Sequence, residues 1–348
     1  MSSSTPLVSV VVPAHNAGRW IAECIGSLLS QTVQDVEVIV IDDASSDDTL
    51  SVVRAAADSR VVVVANERNI GAAASRNRGI ERATGEFLAF MDADDIALPY
   101  RFEKQLAFLR AHPDVDMCGG WMQTFGRRSD LWLAQARHED IKAELLYACG
   151  MQQSTVMCRR AAFLRNGLKY DPTIGVSEDY DLWTRSADVL RLANLQEVLV
   201  RYRVHGDNQS LTKRERLVAT NRMLRLRQLK KLGIEPNERE AEFHDKLFEY
   251  GPGGPGTVAF DLDVVEAWLL RLAGANRRSG YVPERNLRTV LYEFWRRCCL
   301  GGPGREGFRA GRFLKSKLLD GIPVARRLKD AAKGVLGLPF YPLPRLPE

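Results

Sequence analysis

Four short apolar runs alternate with amphipathic segments in the first hundred residues. The runs are Val8 to Val12, Val36 to Ile41, Val61 to Ala65 and Phe87 to Met91. Runs rich in β-branched and apolar residues, without polar alternation, predict strands that are buried on both faces. After the first run, apolar residues recur every three or four positions, which predicts an amphipathic helix. Strands that alternate with helices in this way predict βαβ units and a parallel sheet.

Carboxylates directly follow two of these predicted strands. Asp42 and Asp43 follow the second strand, and Asp92, Asp94 and Asp95 follow the fourth. In open α/β sheets, ligands bind in the crevice beyond the carboxyl ends of the strands. We therefore expect these side chains to lie in a ligand-binding crevice.

The tripeptide Asp92-Ala93-Asp94 is the strongest local feature of the chain. In extended backbone, residues i and i+2 point the same way, so the two carboxylates are expected to converge on one site. Converging oxygen ligands suit a hard divalent cation, Mn²⁺ or Mg²⁺, that keeps open positions for phosphate oxygens. The alternative is an acidic turn that caps the helix beginning near Pro99.

Two further segments carry chemistry suited to a nucleotide. Asp43 is placed to accept hydrogen bonds from a base or ribose, although Asp42 and Asp43 can also cap the next helix. Gly71 and Arg76 open a helix whose N-terminal amides are expected to meet a diphosphate. The polar stretch Gln152 to Ser154 either lines an acceptor site or is an ordinary turn.

The remainder of the chain is organised differently. From about residue 100 the pattern loosens into mixed helices and short strands, with a last strand at Leu199 to Val204. Residues 211–250 are predicted to form a basic helical extension. Residues 251–256 are all Gly or Pro, so we predict a linker at 251–257. Helical patterns follow in residues 258–348, a region to which the sequence assigns no role.

Charge is divided unevenly along the 348 residues. Residues 1–200 hold 20 Lys and Arg against 27 Asp and Glu, whereas residues 201–348 hold 29 against 17. An acidic first part and a basic second part indicate different partners. The six cysteines show no Cys-x-x-Cys pair and no zinc spacing, so we expect reduced thiols.

Several protein classes are disfavoured by the motifs. No Gly-x-Gly-x-x-Gly follows the first strand and no Gly-x-x-x-x-Gly-Lys-Ser/Thr occurs, which argues against a dinucleotide dehydrogenase and a P-loop NTPase. A sugar-1-phosphate nucleotidyltransferase stays open as an alternative, but its glycine-rich signature is missing after the first strand. A basic nucleic-acid-binding protein is the other alternative, and we expect no nucleic-acid partner because the acidic strand ends would repel phosphates.

Four motifs in order resemble the family 2 glycosyltransferases of the inverting GT-A fold. They are Val8 to Asn16, Val40 to Asp47, Asn69 to Asn77 and Phe90 to Asp95, and the likeness continues through Ser177 to Trp183 and Tyr202 to His205. The resemblance implies a GT-A-type, Rossmann-like, mostly parallel sheet flanked by helices. It also implies a catalytic domain at residues 1–210, followed by a mainly α-helical C-terminal region.

The resemblance implies roles for matching residues on the donor side. Pro13, Asp43 and Arg76 would hold the nucleotide of a nucleotide-sugar donor, and Asp92 its ribose. Asp94 would bind the divalent cation.

On the acceptor side, the resemblance implies a single inverting displacement with Asp179 as general base. His205 is similar to the histidine that in many such enzymes closes the metal or diphosphate site. Structural alternatives stay open for both residues: Asp179 as a helix cap, and His205 as an ordinary loop residue.

The substrates and location follow only from family context. UDP-sugars are the expected donors, and a glycan or lipid-linked acceptor of surface-polysaccharide or lipopolysaccharide assembly is the expected acceptor. The N-terminus shows no signal-peptide pattern and no stretch is apolar enough to span a bilayer, so we expect a cytoplasmic protein.

One basic segment extends this expectation to the membrane surface. Arg305 to Lys333 holds nine Lys and Arg against three Asp and Glu, interspersed with apolar residues. Such a segment predicts peripheral association with the anionic inner face of the plasma membrane. The alternative is that its apolar residues pack against other C-terminal helices.

Overall fold

The computed structural model describes residues 5–206, 208, 212–249, 260–300 and 310–335. The chain divides into two compact units, residues 1–224 and 225–348. The predicted boundaries at residues 210 and 257 stay predictions, and the linker at 251–257 lies outside the described residues.

The first unit is built on one mixed sheet of nine strands, in the order β3-β2-β1-β4-β8-β6-β9-β5, with β7 paired to β6. The strands are β1 (Val8–Ala14), β2 (Val36–Asp42), β3 (Val61–Ala65), β4 (Phe87–Phe90), β5 (Ile96–Ala97), β6 (Met117–Gly126), β7 (Leu131–Trp132), β8 (Met157–Arg159) and β9 (Leu192–Val204).

Helices cover the sheet. Those of the first unit are α1 (Gly18–Leu29), α2 (Thr49–Ala55), α3 (Ala72–Arg82), α4 (Arg101–Ala111), α5 (His138–Glu144), α6 (Arg160–Arg165) and α7 (Glu178–Ser186), with a 3₁₀ turn at Gln153–Thr155. Helix α8 (Arg214–Lys231) begins in this unit and contains the boundary between the two units.

The predicted βαβ part is confirmed. Strands β1, β2, β3 and β4 pair in parallel, with Val8 opposite Val36 and Phe87, and the strand order reverses between β1 and β4. The carboxyl ends of all four therefore meet at one edge, where the ligand crevice of such sheets forms. Beyond β4 the sheet continues through antiparallel β8, a pairing that local sequence pattern did not specify.

Strand β1 is buried on both faces, as its apolar run predicts. Val10 and Val12 pack in the same apolar cluster as α1, whereas Val11 packs in the other cluster, beneath α3. A Cβ at Gly79 of α3 would come within 2.3 Å of Val11, so only glycine allows the helix this close to the sheet. This close packing fixes the position of α3 against β1.

The second unit is helical in its described part, as predicted for the C-terminal region. Its helices after α8 are α9 (Glu238–Glu249), α10 (Leu262–Ser279), α11 (Glu284–Leu300), α12 (Ala310–Lys315) and α13 (Val324–Val335), with a 3₁₀ turn at Lys317–Leu319. No helix among the described residues is both long and apolar enough to cross a bilayer.

Candidate functional site

The loop Asp92 to Asp95 begins where β4 ends, and Asp95 anchors it. The Asp95 side chain is fully buried; its Oδ2 accepts a hydrogen bond from Ser154 Oγ at 2.7 Å, and its Oδ1 accepts one from Arg203 N at 3.0 Å. Burial, together with the neighbouring Asp94 and Asp92 carboxylates, raises the pKa of Asp95 well above its ordinary value. The sequence predicted Asp95 in the ligand crevice without a definite role; instead its buried side chain ties the loop to the 3₁₀ turn and to β9.

Asp94 faces His205 across the crevice. His205 Nε2 lies 2.8 Å from Asp94 Oδ2, and Asn208 Nδ2 donates to the same oxygen at 3.3 Å. Asn208 Oδ1 in turn accepts from the His205 backbone N–H at 2.7 Å, which fixes the loop after β9. Burial first and Asp92 second raise the pKa of Asp94. The structure therefore brings together the two residues that the sequence predicts as metal ligands.

The donor set at this position fits a divalent cation that is also held by a substrate. No group of three or more His, Cys, Asp or Glu side chains forms a ligand set within the described residues. Magnesium-type sites commonly use one or two carboxylates, with waters and substrate phosphates completing the shell. The Asp94 and His205 side chains are 24% and 16% exposed, so a cation can reach Asp94 Oδ2 and His205 Nε2.

Arg76 of α3 lies between carboxylates from two distant parts of the chain. Its guanidinium contacts Asp92 Oδ1 at 2.7 Å and Glu178 Oε1 at 2.5 Å, and it lies 5.3 Å from the Tyr170 ring centroid. Burial alone would lower the pKa of Arg76, but Asp92 and Glu178 outweigh it and raise the pKa. Its Nε is buried without a hydrogen-bond partner among the described residues.

This arginine joins the two ends of the predicted site. Arg76 and Asp92 were expected to hold the nucleotide, and here they are bonded directly to each other. Because Glu178 is the residue before Asp179, the same guanidinium also brings the predicted base beside the donor crevice. Because Arg76 and Glu178 are 102 positions apart in the sequence, local sequence pattern could not predict this contact.

Asp179 lies in the first turn of α7, after Ser177 in the left-handed conformation. Its Oδ1 accepts from the Tyr180 backbone N–H at 2.8 Å, and Cys149 Sγ lies 3.9 Å from its Oδ2. Burial, followed by the neighbouring Glu178 charge, raises the pKa of Asp179 to about 7. A carboxylate with this pKa can both take and release a proton near neutral pH, as a general base requires.

Asp43 organises the loop before α3. Its carboxylate accepts hydrogen bonds from Asn66 Nδ2 at 2.7 Å, Ile70 N at 2.9 Å and Gly71 N at 2.8 Å. Gly71 has φ of 87°, a conformation that favours glycine. Asp43 thus shapes the turn from which the α3 amides project, besides its predicted contact with a nucleotide.

The neighbouring strand ends complete this side of the crevice. Pro13 of β1 lies opposite Ile41 of β2, one residue before the strand end. Asp42 is buried, and its Oδ1 has no hydrogen-bond partner among the described residues. Every predicted nucleotide-side residue therefore lies at the carboxyl edge of the parallel strands or at the adjacent start of α3.

The polar stretch Gln152 to Ser154 is largely turned into the protein. Ser154 Oγ donates to Asp95 and accepts from Asp92 N at 3.1 Å, and Gln153 Nε2 donates to Tyr170 OH at 2.8 Å. Gln153 and Ser154 are buried. Of the two alternatives that the sequence left open, their hydrogen bonds favour the structural turn over an acceptor contact.

The chain matches a protein-family model and several curated relatives. A family model described as Glycosyl transferase family 2 matches residues 9–169. An uncharacterized glycosyltransferase of Haemophilus influenzae is 33% identical over 218 residues, which cover 59% of this chain and 68% of the relative. UDP-Glc:alpha-D-GlcNAc-diphosphoundecaprenol beta-1,3-glucosyltransferase WfaP of Escherichia coli is 28% identical over 240 residues, covering 67% of this chain and 89% of that protein.

Solved structures share the fold. S. aureus TarS residues 1–349, in complex with UDP-GlcNAc, aligns with a TM-score of 0.57 and 18% identity over 96% of this chain and 93% of TarS. The mannosyltransferase PcManGT from Pyrobaculum calidifontis, in complex with GDP-Man and Mn²⁺, aligns with a TM-score of 0.52 and 17% identity over 96% and 88% of the two chains.

Proposed function

This chain belongs to glycosyl transferase family 2, and from that premise we propose that it moves a sugar from a nucleotide-diphosphate donor to an acceptor hydroxyl with inversion. The observation that carries the proposal is the Arg76 guanidinium, bonded at once to Asp92 and Glu178. This contact supports one continuous site, with the nucleotide at the strand ends and the base at the start of α7. An attacking hydroxyl and a departing diphosphate would meet between them.

On the donor side, Pro13 and Asp43 would border the base, Asp92 would accept from the ribose, and the Gly71 turn would present α3 amides to the diphosphate. Asp94 and His205 would hold Mn²⁺ or Mg²⁺, which offsets the charge of the departing diphosphate when it is bound. The buried Arg76 would orient the Asp92 carboxylate toward the crevice.

On the acceptor side, Asp179 would take the proton from the attacking hydroxyl. Its raised pKa makes the carboxylate basic enough for the task, and its place beside Glu178 and Arg76 limits how far it can move. A positioned base of this kind typically contributes about 10²–10⁴-fold to the rate. Attack from the face opposite the diphosphate inverts the anomeric carbon.

We propose a UDP-sugar as donor and a lipid-linked glycan as acceptor. Two Escherichia coli relatives support both substrates, since each is named as a UDP-Glc transferase acting on a diphosphoundecaprenol-linked sugar. A relative in Bacillus subtilis is named for teichuronic acid biosynthesis, which supports a role in surface-polysaccharide assembly.

We further propose a peripheral location on the inner face of the plasma membrane. Within the basic segment, Phe313, Leu318, Leu319 and Ile322 are buried, and residues 305–309 lie outside the described part of the chain. In the described part of the basic segment, we therefore propose α13 as the membrane-facing surface. Val324 and Leu328 are exposed on it, and Arg326, Arg327 and Lys329 supply positive charge.

A donor panel tests the enzymatic proposal. Purified protein would be incubated with UDP-Glc, UDP-GlcNAc and GDP-Man in the presence of Mn²⁺, and release of nucleoside diphosphate would be measured with and without a lipid-linked acceptor. We expect cleavage of a UDP-sugar and, by NMR, a product with the opposite anomeric configuration. A product of retained configuration would refute the single displacement, and cleavage of none of the donors would refute the donor class.

A further inference from the structure

Next to Asp94, three arginines and two aromatic rings from α1, β6 and β9 form an alternating chain. Arg19 and Arg203 each lie 4.4 Å from the Trp20 ring centroid; Arg203 and Arg201 lie 4.5 and 4.4 Å from the Phe125 centroid. Cation–π contacts of this length are attractive, and a planar guanidinium stacks on rings as lysine cannot. Arg203 is the member that contacts both rings.

Arg203 also bonds the loop that carries the candidate metal ligand. Its Nε donates to the Asp94 carbonyl at 2.9 Å, and its backbone N–H donates to Asp95 Oδ1 at 3.0 Å. A further contact pairs its guanidinium with Glu23 of α1. The side chain and the backbone of one residue therefore fix two successive positions of the acidic loop.

Arg203 is also linked, through Asn208, to the His205 side of the candidate metal site. Asn208 Nδ2 donates to the Arg203 carbonyl at 3.1 Å and to Asp94 Oδ2 at 3.3 Å, and Asn208 Oδ1 holds the His205 backbone. The Trp20 ring lies 5.4 Å from the His205 imidazole. Displacing Arg203 would thus disturb both Asp94 and His205.

We infer that Arg203, clamped between Trp20 and Phe125, is a positioning residue that holds Asp94 and His205 in the geometry needed for divalent-cation binding. The inference rests on the metal role given to Asp94 and His205 in the proposed function. Groups that orient metal ligands from behind typically change metal affinity about 10- to 100-fold when they are mutated. The effect should appear in cation binding itself, before any sugar transfer.

Arg203→Lys tests the inference, because it keeps the charge but loses the planar stacking and the fixed Nε–H. The measurement is Mn²⁺ binding to the full chain with saturating UDP, followed by the EPR signal of free Mn²⁺. We expect the dissociation constant for Mn²⁺ to rise about tenfold or more. UDP binding without metal and the melting temperature should change little.

Arg201→Lys is the matched control. Arg201 lies two positions earlier on β9 and stacks on the same Phe125 ring, but among the described residues its side chain has no hydrogen bond to Asp94 or Asp95. We expect its Mn²⁺ affinity to stay within about twofold of the wild type. Phe125→Leu keeps the Arg203 hydrogen bonds and removes one ring, so it should weaken Mn²⁺ binding to an intermediate extent. It is the substitute test variant if Arg203→Lys fails to fold.

The outcomes separate this inference from the proposed function. Wild-type protein that binds Mn²⁺ with UDP, together with unchanged affinity in Arg203→Lys and Phe125→Leu, would overturn the positioning role alone. Equal weakening in Arg203→Lys and Arg201→Lys would also overturn it, because a general charge effect would then explain the loss. Wild-type protein that binds no Mn²⁺ in the presence of UDP would refute the metal role and this inference together.

Discussion

Replacing Asp179 by Asn should lower activity and raise stability at the same time. In the native protein, burial and the Glu178 charge move the pKa of Asp179 from 3.8 to about 7. One pKa unit corresponds to about 1.4 kcal/mol, so ionising this carboxylate above pH 7 costs the fold up to about 4 kcal/mol. The neutral amide of Asn avoids that cost.

The sign of the pH dependence follows from proton binding. Below pH 3.8 the carboxyl is protonated in both the folded and the unfolded chain, so it carries no penalty. Between pH 3.8 and about 7 the unfolded chain gives up this proton while the folded chain keeps it, so native stability falls as pH rises. The stabilisation by Asp179→Asn should therefore be small near pH 4 and largest above pH 7.

Activity should move in the opposite direction. Loss of a general base typically costs about 10²–10⁴-fold in kcat, while binding of the donor is nearly unchanged. The wild-type kcat should also rise with pH through about 7, since only the ionised carboxylate accepts a proton. The assays are donor turnover against pH, with lipid-linked acceptor present, and thermal unfolding of both proteins at pH 4 and pH 8.

Asp181→Asn, in the same helix, is the matched control. Asp181 is buried and pairs with Arg185 at 2.7 Å, so its amide variant should lose stability and retain most of its turnover. A near-normal kcat in Asp179→Asn, or a lower melting temperature than wild type at pH 8, would contradict the general-base role. Either result would favour a structural role of Asp179 as a helix cap.

Excess EDTA should abolish turnover, and added Mn²⁺ or Mg²⁺ should restore it. The Asp94→Asn variant should regain less turnover than the wild type when the cation is added. Full turnover in EDTA would exclude the metal role. Ser154→Ala leaves the buried Asp95 Oδ2 without its donor, so it should cost about 1–3 kcal/mol of stability in urea unfolding, and an unchanged midpoint would contradict that anchoring role. Leu328→Glu should reduce low-salt co-sedimentation with anionic vesicles but not with neutral ones. Equal binding by wild type and variant would show that α13 does not contact the membrane.

The sequence by itself determined the parallel half of the sheet and the place of its crevice. The apolar runs that became β1, β2, β3 and β4 are local patterns, and the helical periodicity between them is equally local. Connections of this length favour parallel neighbours, and parallel neighbours end at one edge. The place of Asp43 and Asp92 in the crevice therefore follows from the local sequence pattern alone.

Only the tertiary structure decided how these carboxylates are paired. Arg76 could be foreseen at the start of α3, but its simultaneous bonds to Asp92 and Glu178 depend on how α7 docks against the sheet. The pKa of Asp179 depends on the same packing, because burial is its leading cause. No short-range pattern encodes desolvation by residues that are distant in sequence.

The same holds for residues to which the sequence assigned no definite role. Asp95 looks like a third member of an acidic run, yet it is the buried anchor of the loop, because Ser154 and the end of β9 reach it from other parts of the chain. Arg203 looks like a residue of an ordinary strand end until α1 and β6 bring Trp20 and Phe125 against it. Strand periodicity indicates which residues are buried, whereas the pairing of charges and rings is set by long-range packing, and that information exists only in the folded chain.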